Sequence, residues 1–165
     1  LLLQLIGGVL LAIKFQNTFD WGWPKAIWHG LFQAVSGFNN AGFTTIPDSD
    51  SLSAFQQDLF TLGVMAVLIM LGGLSFAVMA ELVRVKRFSR FSLDTKIIVA
   101  ASVVLWVIGA IIVFTLEYDN ADTLGPMSFG QKIVHATFES ITARAAGFSR
   151  DSQARGLSAL AEEIA

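Results

Sequence analysis

The chain has 165 residues, of which 54% are hydrophobic and 15% charged, and its formal net charge is −2. Soluble domains carry about a quarter charged residues, so this composition is typical of a membrane protein, and so small a net charge argues against a nucleic-acid partner. The sequence contains no cysteine, which excludes a disulfide framework and a thiolate metal site.

The first predicted element is the apolar stretch "LLLQLIGGVLLAIKF", residues 1–15. It has no basic region before it and no small-residue cleavage site after it, so the pattern of a signal peptide is incomplete. We interpret it as the tail of a membrane span that is cut by the fragment boundary.

The second element, residues 21–45, is predicted to be a short helix followed by a loop. Pro24 suits the first turn of a helix, where a missing N–H costs nothing. Apolar positions then continue to Gly37, which gives a helix of about a dozen residues, too short to cross a bilayer. The loop after it, "FNNAGFTT", interrupts the apolar character of the chain with two side-chain amides and a glycine.

Two long runs without any charge follow, residues 59–80 and 97–116. Each has about the 20 residues that a helix needs to cross the hydrocarbon layer, and we predict membrane spans over 57–80 and 97–118. Gly72 and Gly73 in the first run favour a close helix contact, with a hinge as the alternative.

The linker between these spans, residues 81–96, is basic. Its cations outnumber Glu81 and Asp94, and they are Arg84, Lys86, Arg87, Arg90 and Lys96. Short basic loops remain on the cytoplasmic side of the membrane. The segments around Asn39 and Ala145 are therefore predicted to lie toward the outside.

A second short helix and loop is predicted over residues 128–149. Ser128, with Gln131 three residues later, has the pattern of a capping box at a helix start. The helix again lasts only about a dozen residues, and it leads into "TARAAGF".

The two short segments form an internal repeat. His29 and His135 are 106 positions apart, and so are Ser36 and Thr142, whereas the Ala-Gly-Phe triplets 41–43 and 146–148 are 105 apart. The repeated unit is a span, a short helix, a glycine-containing loop and a span. It predicts two domains, residues 1–80 and 97–165, joined by the linker.

Either loop alone is also explained as a helix that ends at a glycine C-cap. Two copies between spans instead favour loops that border a pore, because non-helical backbone at membrane depth needs protein or water around it. The C-terminal end of a half-helix favours a cation. Gly42 and Gly147 allow the backbone to turn carbonyl oxygens toward the ion, as in potassium-channel filters.

These motifs resemble the Trk/Ktr/HKT family of potassium transporters, most closely the Ktr-type membrane subunit. "FNNAGF" is similar to the filter loop of the family's second repeat, "TARAAGF" to that of the third, and "LGGLSF" to the stretch after the second loop. The resemblance implies an all-α integral membrane protein with four such units around one potassium-channel-like pore. It covers the second repeat and the third without its last span, so two further filter loops are expected elsewhere.

The resemblance also implies a function, a site and partners. The function is potassium uptake through the plasma (inner) membrane, with sodium as a possible second ion, no covalently bound cofactor and no enzymatic activity. The implied partners are the lipid bilayer, a second copy of the subunit and a cytoplasmic ring of nucleotide-binding regulatory subunits. The predicted filter residues are Asn39, Asn40, Ala41, Gly42, Phe43, Ala145, Ala146, Gly147 and Phe148, with K⁺ at Asn40, Gly42, Ala146 and Gly147.

Several residues have two interpretations. His29 and His135 suit packing or hydrogen bonding better than metal or haem ligation, and Arg144 either modulates the pore mouth or pairs with Glu139. The amides of Asn39 and Asn40 line the filter or, as we favour, brace its backbone. The acidic residues predicted on the outer side concentrate cations or are simply solvated; they are Asp48, Asp50, Asp58, Glu117, Asp119 and Asp122.

Three other functions are open to the sequence. A carrier with re-entrant hairpins is one, although carriers of that kind commonly contain inverted repeats, and these repeats share one orientation. A non-conducting membrane scaffold is another. An intramembrane enzyme would need a nucleophile and base at catalytic spacing, and the candidates Ser36, His29, Glu139, Thr142 and His135 form no recognised pattern.

Overall fold

A computed structural model describes residues 1–46, 55, 58–85, 87–118 and 128–145, and the side chains of all of these except 144 and 145. Every regular element within these ranges is helical, with no strand among them. The helices are α1 (Leu2–Phe19), α2 (Trp23–Phe38), α3 (Leu59–Gly72), α4 (Phe76–Arg84), α5 (Leu93–Glu117) and α6 (Phe129–Ala145), with a 3₁₀ turn at Phe88–Arg90.

The described helices include two that are long and apolar enough to cross a membrane, α1 and α5. Helices α3 and α4 together provide a third if the pair is one bent span. Apolar helices of this length in the described ranges are consistent with the expected membrane protein.

The apolar run 59–80 is not the continuous helix predicted for the span 57–80. It forms α3 and α4, which are bent by 106° at the break between them. Gly73 is the C-cap of α3, and Ser75 begins α4 by accepting a hydrogen bond from the Val78 N–H at 3.4 Å. A Cβ at Gly72 would lie 1.7 Å from the carbonyl oxygen of Phe38. The pair Gly72 and Gly73 therefore provides both a close contact with the end of α2 and the break between α3 and α4.

The two short helices are longer than predicted, with 16 residues in α2 and 17 in α6. Pro24 lies in the first turn of α2, as its fixed φ predicted. At the start of α6, Gln131 Oε1 accepts hydrogen bonds from Ser128 N–H at 3.1 Å and from Ser128 Oγ at 2.9 Å. The predicted reach of Gln131 back to the helix start is thereby confirmed.

The connection between α4 and α5 is shorter than the predicted linker 81–96, because α4 continues to Arg84 and α5 begins at Leu93. Ser92 is the N-cap of α5. The carboxylate of Glu81 accepts hydrogen bonds from Ser92 N–H at 2.6 Å, from Ser92 Oγ at 2.7 Å and from Thr95 Oγ1. These bonds hold the end of α4 against the start of α5.

Each short helix packs against the long helix before it through a glycine. A Cβ at Gly30 of α2 would lie 2.6 Å from the backbone nitrogen of Ala12 in α1. A Cβ at Gly109 of α5 would lie 2.3 Å from Ser140 Oγ in α6, which donates to the Trp106 carbonyl at 2.7 Å. Small residues at such positions let helix axes approach closely.

Helix α3 belongs to the first unit and contacts α1 and α2 of that unit as well as α6 of the second. The hydrophobic core gathers around it and consists of Leu11, Phe15, Ala34, Ile46, Phe55, Leu62, Met65, Leu68, Ile69, Phe138 and Ile141. Most apolar side chains of α5 are instead exposed on the surface of the described chain.

Candidate functional site

The candidate site is the loop that follows α2, and it begins with a Schellman motif. Asn40 has a left-handed φ of 53° and its N–H donates to the Gly37 carbonyl at 3.1 Å. The Ala41 N–H donates to the Ser36 carbonyl at 2.9 Å. This pair of bonds is the pattern by which a left-handed residue ends a helix. Asn39 is therefore the C-cap of α2, and Asn40 is the left-handed residue directly after it.

Gly42 has a role in the loop that is separate from the end of α2. Its φ is 75°, in the region that L-residues rarely adopt, and it lies two residues beyond Asn40. The alternative that α2 ends at a glycine C-cap does not hold for Gly42, because Asn39 is the C-cap and Asn40 is the left-handed residue that follows it. The positive φ instead turns the backbone within the loop itself.

The loop directs its amides toward α2. The N–H groups of Asn39, Asn40 and Ala41 donate to carbonyls of the last helical turns, and the Phe43 N–H donates to Ser36 Oγ at 3.0 Å. Within the described residues, no hydrogen bond is donated to the carbonyl oxygens of residues 39–42. These oxygens are therefore left as acceptors for another partner.

The side chain of Asn39 braces the helix end. Its Nδ2 donates to the Val35 carbonyl at 2.8 Å, which supports the bracing interpretation for this residue. Asn40 differs, because its Oδ1 is buried without a hydrogen-bond partner among the described residues. Asn40, Gly73 and Ser102 help to line a cavity of about 280 Å³ next to the break between α3 and α4.

Behind the loop, α2 presents a buried polar face that consists of His29, Gln33 and Ser36, which are 8%, 0% and 5% exposed. The ring nitrogen Nδ1 of His29 shares a hydrogen bond of 2.8 Å with Thr45 Oγ1. This contact agrees with the hydrogen-bonding interpretation of His29. Neither Gln33 nor Thr45 was among the predicted site residues, although the spacing i, i+4, i+7 places the three polar side chains of α2 on one side of the helix.

The second predicted loop is only partly described. The backbone of Arg144 and Ala145 forms the end of α6, whereas Ala146, Gly147 and Phe148 lie outside the described residues. His135 and Thr142 of α6 are fully buried, at 0% and 1% exposure. The geometry of the second loop thus remains a prediction.

Of the acidic residues predicted at the outer side, Asp58 has structural partners. It accepts from Phe60 N–H and from Thr61 Oγ1 at the start of α3, and it pairs with Lys14 at 3.2 Å. These contacts favour a capping role for Asp58 over cation attraction. Glu117 ends α5, and the other four, Asp48, Asp50, Asp119 and Asp122, lie outside the described ranges.

Comparison with known proteins finds similarity to a family of cation transport proteins and to potassium uptake proteins. A family model described as "TrkH: Cation transport protein" matches residues 1–154. The chain is 35% identical over 147 residues to the Ktr system potassium uptake protein B of Bacillus subtilis, a match that covers 89% of this chain and 32% of that protein.

Two further relatives agree. The chain is 36% identical over 146 residues to the potassium/sodium uptake protein NtpJ of Enterococcus hirae, covering 88% of this chain and 31% of that protein. It is 34% identical over 151 residues to the Ktr system potassium uptake protein B of Vibrio alginolyticus, with 90% and 32% covered. The chain thus spans about a third of the length of the curated relatives it matches.

Proposed function

The chain belongs to the TrkH family of cation transport proteins, and from this premise we propose that it is part of a membrane subunit that takes up potassium. The resemblance read from the loop motifs is confirmed by the family match and by the potassium uptake proteins among its relatives. Sodium is the competing ion to consider, since one relative is named for both ions.

One observation carries the proposal: four N–H donors of the loop 39–43 are bonded to the helix, whereas the carbonyl oxygens before Phe43 have no donor among the described residues. Four N–H groups, those of Asn39, Asn40, Ala41 and Phe43, are bonded to α2. The carbonyls of residues 39–42 receive no hydrogen bond from the described residues. Oxygens in this state suit a cation that has lost part of its hydration shell.

The C-terminal end of α2 also favours a cation at this site. The loop begins at the C-terminal end of a 16-residue helix, which carries a partial negative charge. We assign the carbonyls of Asn40 and Gly42 to the first half of the ion site, and those of Ala146 and Gly147 to the equivalent positions of the second loop. Arg144 is proposed to set the positive charge near that loop.

The proposal extends to the architecture and the partners. Residues 1–80 and 97–165 are two of the repeated pore units, and the remaining units belong to other parts of a whole protein. The subunit lies in the plasma membrane as a homodimer, above a cytoplasmic ring of nucleotide-binding regulatory subunits. No covalent cofactor and no enzymatic step are part of this proposal.

The test is cation uptake by the full-length protein in cells that lack their own potassium importers. Gly42→Ser places a side chain where φ is 75°, and we expect it to slow potassium uptake or lower the preference for potassium over sodium by about tenfold, because the left-handed conformation costs an L-residue roughly 1–2 kcal/mol. Gly147→Ser is expected to act in the same direction.

The matched control is Gly63→Ser in α3, because a Cβ at Gly63 would meet no described heavy atom within 4 Å. Normal transport by both loop variants would show that these glycines are not part of a filter. A full-length protein that reaches the membrane and moves no cation would instead support the scaffold or carrier alternative.

A further inference from the structure

The polar face of α2 holds the candidate filter loop at two points. His29 contacts Thr45 through a hydrogen bond of 2.8 Å, and Ser36, two turns later, contacts Phe43. Both side chains are at least nine-tenths buried, at 8% and 5% exposure. Buried hydrogen bonds of this kind are costly to leave unpaired, so they fix the loop relative to the helix.

Ser36 contacts both polar groups of one residue. Its hydroxyl donates to the Phe43 carbonyl at 2.6 Å and accepts from the Phe43 N–H at 3.0 Å. The Ser36 carbonyl also accepts from the Ala41 N–H at 2.9 Å. Ser36 thus contacts the loop immediately before and immediately after Gly42, the residue with φ of 75°.

We propose that Ser36 is a positioning residue for cation selection, a role that rests on the proposed function of the loop. Its hydroxyl turns the Phe43 carbonyl toward the helix. The carbonyl of Gly42 is then the last one in the loop that is available to the ion. The ion then meets the oxygens of residues 39–42 and not that of Phe43.

The direction of the Phe43 carbonyl explains why a hydroxyl is needed at this position. A methyl group in its place would leave Phe43 N–H and C=O without their partner, and the peptide between Phe43 and Thr44 would be free to rotate. A carbonyl that rotates away from α2 adds an oxygen of variable position to the ion site. Selection between ions of different size depends on the number and placement of such oxygens.

The second short helix, α6, also has a buried hydroxyl side chain at the position equivalent to Ser36. Thr142 of α6 stands 106 positions after Ser36, carries a hydroxyl and is 1% exposed. The loop that follows it lies outside the described residues, so the contact itself is known only for Ser36. The recurrence provides a conservative substitution taken from the chain itself, Ser36→Thr.

The experiment compares Ser36→Ala, Ser36→Thr and Ser140→Ala in the full-length protein, expressed in cells that lack potassium importers. Ser140 is the matched control, because it is similarly buried at 7% exposure and its hydroxyl donates at 2.7 Å to Trp106 of α5 rather than to a loop. The measured quantity is the ratio of potassium to sodium uptake rates, which does not depend on the amount of folded protein.

We expect Ser36→Ala to lower this ratio by about three- to tenfold, the change expected from the loss of a buried hydrogen bond. Ser36→Thr is expected to keep the ratio of the unaltered protein, and Ser140→Ala is expected to change only the amount of protein. An unchanged ratio in Ser36→Ala, alongside an altered ratio in Gly42→Ser, would overturn the role of Ser36 and leave the filter intact. Unchanged ratios in both variants would overturn the filter as well.

Discussion

The apolar runs 59–80 and 97–116 are alike in length and in lacking charge, yet the first is broken and the second is not. The first forms α3 and α4, bent by 106°, whereas the second lies within α5, a single helix of 25 residues. Both contain glycine, so the presence of glycine does not by itself decide the outcome.

The difference depends on what surrounds each glycine. Gly72 and Gly73 are followed within two residues by Ser75, whose side chain caps a new helix. Gly72 also lies where only a hydrogen fits against the Phe38 carbonyl. Gly109 has neither feature, because no cap follows it and its contact is the side chain of Ser140. In this chain the break therefore coincides with both a local restart signal and a close tertiary contact.

The largest effect is expected when the broken run loses its close contact. Gly72→Ala would place a Cβ 1.7 Å from the Phe38 carbonyl oxygen, and the obstacle is backbone, which cannot rotate away. We expect a loss of about 3 kcal/mol in unfolding free energy, at the upper end of overpacking. The measurement is the melting temperature of the detergent-solubilised full-length protein.

Gly63→Ala is the control for this change, since it lies in the same helix with open space around it among the described residues. It should leave the melting temperature unchanged or raise it slightly, because alanine favours a helix over glycine by up to about 1 kcal/mol. Equal melting temperatures for the two variants would contradict the contact at Gly72.

A smaller effect is expected in the continuous run. Gly109→Ala would place a Cβ 2.3 Å from Ser140 Oγ, and a hydroxyl can rotate where a backbone carbonyl cannot. We expect a loss of about 1 kcal/mol. The decisive measurement is the double variant with Ser140→Ala, which removes the clashing oxygen and should be no less stable than Ser140→Ala alone. Additive losses would show that Ser140 is not the obstacle.

The smallest loss of stability is expected from a change at the start of α4, where the helix resumes after the break. Ser75→Ala removes the oxygen that accepts from the Val78 N–H at 3.4 Å, a long bond for a cap. We expect a loss of about 0.5 kcal/mol, the lower end for an N-cap. Hydrogen exchange at Val78 should accelerate, while exchange at Thr95, which is capped by Ser92, serves as the internal control. Unchanged exchange at Val78 would mean that α4 begins without help from Ser75.

The sequence was informative where a signal is local. Pro24 and the pair Ser128 and Gln131 marked the starts of the two short helices, and charge-free length marked α5. The break after Gly72 could not be predicted with certainty, because it depends on the Phe38 carbonyl, 34 residues earlier in the chain. Likewise, Ser92 as the N-cap of α5 lay within what composition marked as a linker.

For the candidate site, the repeated motif identified the position of the loop but not the separate roles of the residues within it. Asparagine is the residue after glycine that most readily adopts a left-handed φ, so Asn40 was able to provide the left-handed residue that ends α2. The motif gave no reason to choose Asn40 over Gly42 for this position. The contact of Ser36 with Phe43 joins residues seven positions apart and appears only when the loop folds back. His29 and Thr45 are joined in the same way.

The close approach at Gly30 limits how far the two units can be exchanged. Its equivalent in α6, 106 positions later, is the fully buried Ala136. A Cβ at Gly30 would lie within 2.6 to 2.8 Å of three backbone atoms of α1. A chimera with α6 grafted in place of α2 would therefore bring a methyl group into that backbone, and the reverse graft would leave a gap beside α5. Each short helix is thus fitted to the long helix that precedes it, and the two are not interchangeable at this position.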